Sequence, residues 1–120
     1  PRERWVWESF GTALELKWGG FCPESFLNFD CGFFSMSRAE VSVMDPQQRV
    51  VLQQSFLAIE NSGFSSQSIS GRKVSVTVGV SKNDYAELMR EAGAPISSFV
   101  STGTVHSIIA NRVSYQYDLQ

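Results

Sequence analysis

The chain has 120 residues, 42% of them hydrophobic, with 10 basic and 12 acidic side chains and a net charge of −2. That is the size and balance of one folded domain and excludes a disordered polymer. The charges are interspersed and offer no basic face for nucleic acid, and the apolar runs fall well short of the about 20 residues that span a membrane.

The opening Pro1-Arg2-Glu3-Arg4-Trp5 lacks both an initiator methionine and the apolar stretch of a signal peptide, so the chain reads as a segment cut from a longer cytoplasmic protein. Residues 1–35 are crowded with Trp5, Trp7, Phe10, Trp18, Phe21, Phe26, Phe29, Phe33 and Phe34, with no persistent period. Irregular structure with short strands, pinned by aromatic burial, is expected there. Ser37 and Glu40 have the spacing of a reciprocal capping box, which predicts a short helix over 38–43. Asp45-Pro46 then restarts the chain, Asp45 as the cap and Pro46 in the first helical position, where its missing N–H costs nothing. The helix that follows runs to about Asn61 on a stripe of Leu52, Phe56 and Ile59, widened by Val51 and Ala58. Gly63 closes it in a left-handed conformation. Ser65-Ser66-Gln67-Ser68 reads as a surface loop.

Val74-Ser75-Val76-Thr77-Val78 alternates and is rich in β-branched residues, the pattern of a strand. Asn83-Asp84 starts a helix through Glu91, stopped by Gly93 and Pro95. A last helix is predicted from near Thr104, with Val105, Ile108, Ile109 and Val113 on one face. A solitary strand has backbone groups that need partners, so most of its sheet is expected outside these residues.

Chemistry-bearing side chains are few. Two cysteines, Cys22 and Cys31, do not make a disulfide framework, and with His106 as the sole histidine they do not make a metal site. A Cys–His106 nucleophilic dyad is rejected, because neither cysteine sits at a helix start and no third group orients the imidazole. Asp45 and Arg49 have the spacing of an ion pair within a helix. Asn111-Arg112 reads as a brace for the segment that follows the last helix.

Two blocks stand out: Met44-Asp45-Pro46-Gln47-Gln48-Arg49 and the run from Ser101-Thr102-Gly103 to Tyr115. With Arg4-Trp5, Gly19-Gly20-Phe21, Phe29-Asp30, Phe33-Phe34, Ser37, Glu40, Leu52, Phe56, Glu60, Ser62-Gly63, Val78-Gly79, Ser81 and Asp84-Tyr85, they form an ordered set. The set resembles the N-terminal part of the β-ketoacyl synthase (ketosynthase) domain of type I, modular polyketide synthases, over nearly the whole chain. There are departures: Arg38 stands where the family usually has proline, and Ser35 replaces a usual glycine.

The resemblance implies a thiolase-like, layered α/β fold, of which residues 1–120 are a partial N-terminal domain truncated at both ends. It implies decarboxylative Claisen condensation of acyl thioesters in polyketide chain elongation. The nucleophilic cysteine and two histidines of that chemistry are expected beyond Gln120, so no catalytic residue is assigned here and the isolated segment is expected to be inactive. No cofactor or metal is expected to bind directly; substrates arrive on the phosphopantetheine of an acyl carrier protein. The implied partners are that carrier protein, a second copy in a homodimer, and neighbouring synthase domains. Phe99, Val100 and Thr102 are the candidates for the wall of the acyl tunnel or the dimer interface. The alternative is a non-catalytic homologue that serves as a chain-length or scaffolding subunit. A freestanding binding module is disfavoured by the unpaired strand.

Overall fold

Asp45 opens the helix on which the rest is arranged, and it does so as its position before proline predicts. The computed structural model describes Gly20, residues 28–94 and residues 97–120. The aromatic run from Trp5 to Phe26 with its expected strands, Cys22 and the Pro95 helix stop therefore lie outside the described residues.

The described elements are six helices: α1 Arg38–Ser42, α2 Pro46–Asn61, α3 Ser66–Ile69, α4 Asp84–Glu91, α5 Ser98–Thr104 and α6 Ser107–Gln116. In α2 the Asp45 carboxylate accepts the Gln47 N–H at 2.7 Å, and Pro46 takes the first turn. This satisfies one of the amides that every helix start leaves without a partner. Gly63, at φ +82°, ends α2 in the left-handed region as expected, and Gly93, at φ +68°, ends α4 in the same region.

The apolar stripe of α2 packs on α6. Leu52 is completely buried against Phe34, Val113 and Tyr117, with Phe56, Ile59 and Val76 around them. Burial of a leucine contributes about 1.5–3 kcal/mol. Phe34 is brought in by a turn that Asp30 caps, its carboxylate accepting the Phe33 N–H at 2.9 Å. Phe29 stacks on Phe34 at 4.7 Å, and Phe33 meets Phe56 edge-on at 4.7 Å, geometries that aromatic quadrupoles favour. The aromatic residues of 28–35 thus form a pinned turn.

α1 meets α5 at Gly103. A Cβ built there would stand 2.6 Å from the Val43 carbonyl oxygen. Only glycine lets the backbones approach this closely, and the Asp45 N–H uses the approach to donate to the Gly103 carbonyl at 2.8 Å. Met44 is fully buried beside this contact.

Several expectations are corrected. The Ser37–Glu40 box forms by half: Ser37 Oγ accepts the Glu40 N–H at 3.1 Å, but the Glu40 carboxylate turns to Arg112. A guanidinium is a stronger partner than a lone backbone amide. Ser65–Ser68 is not simply a loop; Ser65 and Ser68 form a complete capping box on the one-turn helix α3. The last helix does not begin near Thr104. Thr104 ends α5, Val105 is extended (φ −86°, ψ 128°), and α6 starts at Ser107. Of the expected apolar face, Ile109 and Val113 are buried, Ile108 is half-buried and Val105 is exposed.

Residues 72–80 carry no assigned secondary structure, and no strand is assigned among the described residues. Two backbone bonds bear on the expected strand. Gln120 N–H donates to Arg72 O at 3.0 Å, and Val74 N–H donates to Gln120 O at 3.1 Å. One residue bonded to both neighbours of Lys73 is the unit from which a parallel ladder is built.

Candidate functional site

Ser97 starts α5 by accepting the Val100 N–H on its hydroxyl at 3.3 Å. Residues 99 and 102 then fall on one face, three apart, while Val100 falls on another. Phe99, Thr102 and Ser98 form one wall of a recess of about 390 Å³; Ile108, Asn111, Arg112 and Tyr115 of α6 form the other, and Glu40 of α1 closes it. Two of the three residues singled out from the sequence therefore meet at this site. Val100 does not; it is half-buried, and its carbonyl accepts the Thr104 hydroxyl at 2.9 Å.

The recess is mostly apolar at its mouth. Tyr115 is 89% exposed and Phe99 40% exposed. Three of its polar side chains, those of Thr102, Glu40 and Arg112, are already engaged. The Thr102 hydroxyl is within reach of the Ser98 and Phe99 carbonyls, at 3.2 and 3.3 Å, and spends its proton inside α5. Glu40 pairs with Arg112 at 2.6 Å. No thiol or imidazole is among the lining residues. Such a surface offers shape and apolar contact to a ligand rather than a nucleophile or a free base.

Beneath the recess lies a polar network. Arg112 Nε donates to Gln48 Oε1 at 2.6 Å. Gln48 Nε2 donates to the carbonyls of Thr102 and Val105 at 3.1 and 3.5 Å. Gln48 is 1% exposed, so each of these bonds matters: a buried amide without partners is costly. A carboxamide is suited to this place because one end accepts from a guanidinium while the other donates to carbonyls. The network joins α1, α2, α5 and α6. Sequence reasoning gave Arg112 a bracing role toward the residues that follow α6, whereas it bonds to α1 and α2, and it missed Gln48. A signal existed: Gln48 lies one turn before Leu52 on the apolar stripe, a polar residue where a core residue is expected.

The remaining chemistry-bearing residues stand apart. Cys31 Sγ donates to the Phe29 carbonyl at 3.8 Å, and His106 Nε2 donates to the Lys82 carbonyl at 2.7 Å. Neither side chain is directed to the other, and His106 is half-buried, tying the segment before α4 to the start of α6 rather than lying free on the helix surface. Asp45 gives its second oxygen to Gln47 Nε2 at 3.2 Å, so both carboxylate oxygens serve the start of α2. Glu40–Arg112 bridges two helices, whereas Glu87–Arg90 is an exposed pair within α4. The Tyr117 hydroxyl is raised above its ordinary value, first by burial and then by the nearby Glu60 carboxylate. Among the described residues no group of three His, Cys, Asp or Glu side chains is arranged to hold a metal ion, and no helix is long and apolar enough to cross a membrane.

Known proteins resemble this chain along most of its length. The family described as beta-ketoacyl synthase, N-terminal domain, matches residues 1–120. Polyketide synthase ThaG of Burkholderia thailandensis is 36% identical over 127 residues, covering 100% of this chain and 2% of that protein. The 6-hydroxymellein synthase cdmE of Talaromyces verruculosus is 39% identical over 110 residues, covering 92% of this chain and 4% of that protein. Polyketide synthase PksN of Bacillus subtilis is 34% identical over 126 residues, covering 99% of this chain and 2% of that protein. The chain thus spans only a small fraction of the length of the relatives it matches.

Proposed function

This chain belongs to the β-ketoacyl synthase N-terminal domain family, and from that premise we propose that it is the N-terminal portion of a ketosynthase domain that elongates chains in a polyketide synthase. Membership carries with it a thiolase-like fold. The observation that carries the proposal is the family match over residues 1–120, joined by polyketide synthases from bacteria and a fungal synthase that align along nearly the whole chain.

The reaction proposed for the parent domain has two stages. An acyl group passes from the phosphopantetheine sulfur of a carrier protein to a cysteine, one thioester breaking as another forms. A malonyl-type extender then loses carbon dioxide, and the carbanion equivalent attacks the acyl carbonyl and releases the cysteine thiolate. Donors facing the developing enolate oxygen are needed for that step. We place the cysteine and those donors outside residues 1–120.

Within this segment, the proposed role is positional. Phe99 and Thr102 wall the acyl path at the recess, and the exposed Phe99, Val105 and Tyr115 are where a second copy of the domain packs. Residues 74–78 supply a strand to a layered sheet, a reading supported by the ladder-like bonds of Gln120 on either side of Lys73. The exposed Phe33, Leu57 and Leu88 support a body with further layers. The acyl carrier protein and neighbouring synthase domains are the partners, and the cytoplasm is the compartment.

The test is acyl loading from a carrier-protein thioester. The full-length domain is expected to take up one acyl group on a cysteine beyond Gln120, and a polypeptide of residues 1–120 none. Loading of Cys22 or Cys31 would overturn the assignment. A full-length domain that takes up nothing and has another residue in place of that cysteine would point instead to a scaffolding subunit.

A further inference from the structure

We infer that Gln48 and Arg112 are positioning residues for the wall of the recess, acting on Phe99 and Thr102 through the carbonyl of Thr102. The inference rests on the reading of that recess as part of the acyl path. Phe99 and Thr102 line the recess, whereas Gln48 does not; it lies behind α5, almost completely buried. Its Nε2 holds the Thr102 carbonyl at 3.1 Å, and its Oε1 is held by Arg112 Nε at 2.6 Å. Arg112 is in turn fixed by Glu40 at 2.6 Å, and both of these line the recess on its far side. The two walls are therefore tied to one another through Gln48. α5 is only seven residues long, and its Gly103 end is already pressed against Val43. A helix that short moves as a unit, so a change at its C-terminal carbonyls displaces Phe99. The width of the recess, and hence the acyl chain it accepts, is set by this buried amide.

The substitution Gln48→Glu tests the idea with almost no change of volume. Glutamate keeps an acceptor for Arg112 but presents an oxygen to the Thr102 carbonyl, turning attraction into repulsion. Arg112→Lys is the second variant. It keeps the charge for Glu40 and lacks the Nε donor to Gln48.

Both are to be made in the full-length domain beside Phe99→Ala, with butanoyl and decanoyl N-acetylcysteamine thioesters as probes and thermal unfolding as the check on folding. The ratio of kcat/KM for the two thioesters is expected to shift about ten-fold in each folded positioning variant, the scale on which a pocket discriminates a few methylenes. The shift should be carried by KM rather than kcat, a split that general loss of stability does not produce. A ratio within two-fold of the parent in the folded variants, with Phe99→Ala shifted, overturns the positioning role alone. A ratio unchanged in Phe99→Ala as well overturns the reading of the recess. If both positioning variants fail to fold, the network serves the whole domain rather than the wall, and the inference fails.

Discussion

Arg112 on α6 donates its Nε to the side-chain oxygen of Gln48 on α2 at 2.6 Å, across 64 residues of sequence. The contact is buried on the Gln48 side, and the other end of the same amide holds the Thr102 carbonyl. Replacing Gln48 by leucine fills the space but removes three hydrogen bonds. It leaves a guanidinium N–H and the Thr102 carbonyl facing an apolar group, while the Val105 carbonyl keeps its bond from the Ile108 N–H. Each orphaned group costs about 1–3 kcal/mol, so Gln48→Leu is expected to lower the stability of the parent domain by roughly 3 kcal/mol. The midpoint and slope of urea unfolding measure this. A loss under about 1 kcal/mol would mean that water or neighbouring groups replace the lost bonds.

Gly103 predicts a second effect of similar size by a different cause. Gly103→Ala puts a methyl 2.6 Å from the Val43 carbonyl oxygen, and that oxygen belongs to backbone that cannot swing aside. The α1–α5 contact must open, with loss of the Asp45 N–H bond to the Gly103 carbonyl. A cost of about 1–3 kcal/mol is expected, typical of overpacking. Denaturant unfolding of the alanine variant checks it; parent-like stability would show that the contact relaxes freely.

Ser35 offers a gain. It sits at φ +54°, a left-handed conformation that costs a residue with a Cβ about 1–2 kcal/mol. Glycine adopts it without strain but loses about 0.5–1 kcal/mol more chain entropy on folding. Ser35→Gly is therefore expected to stabilise by roughly 0.5–1 kcal/mol. The thermal midpoint should rise, and a fall would contradict the backbone argument.

Tyr117 predicts an alkaline effect with a definite sign. Its hydroxyl is buried without a hydrogen-bond partner, and its pKa is raised above 10.0. In the unfolded chain the hydroxyl ionises near 10, while in the fold it keeps its proton to higher pH. The unfolded state thus binds fewer protons above pH 10, and stability falls as pH rises. The contribution is fully present below the unfolded pKa and is lost as pH climbs through the folded one. Tyr117→Phe should be neutral or slightly stabilising at pH 7 and should remove this part of the alkaline loss. Unfolding titrations of both proteins between about pH 8 and 11 measure the difference; parallel curves would contradict it.

Local signals were readable along the chain. The Asp45-Pro46 cap, the Leu52–Phe56–Ile59 stripe, the glycine stops at Gly63 and Gly93, and the start of α4 all depend on neighbours within one or two turns. So do the paired stations that mark the family, because a motif is itself a local arrangement. α5 was missed although Ser97 offers a cap, because its residues Ser98-Phe99-Val100-Ser101-Thr102-Gly103-Thr104 show no clear apolar period and are poor helix formers. The helix persists through bonds to α2, which no window along the sequence contains. For the same reason Phe99 and Thr102 could be named while the recess that joins them to Ile108, Asn111 and Tyr115 could not.

What the sequence determined by itself is the set of helices with strong caps and stripes, and membership of the ketosynthase family. Capping and periodicity act over a few residues, and family motifs are read one position after another. What only the tertiary structure decided is where the long-range polar bonds go. Glu40 could serve its own helix start or Arg112; it takes the guanidinium because the fold delivers a charged partner to a partly dry place, where charge-assisted bonds are strongest. Along the sequence Gln48 is simply one residue of a motif block. Packing of α5 and α6 over α2 buried it and made its two ends the link between the walls of the recess.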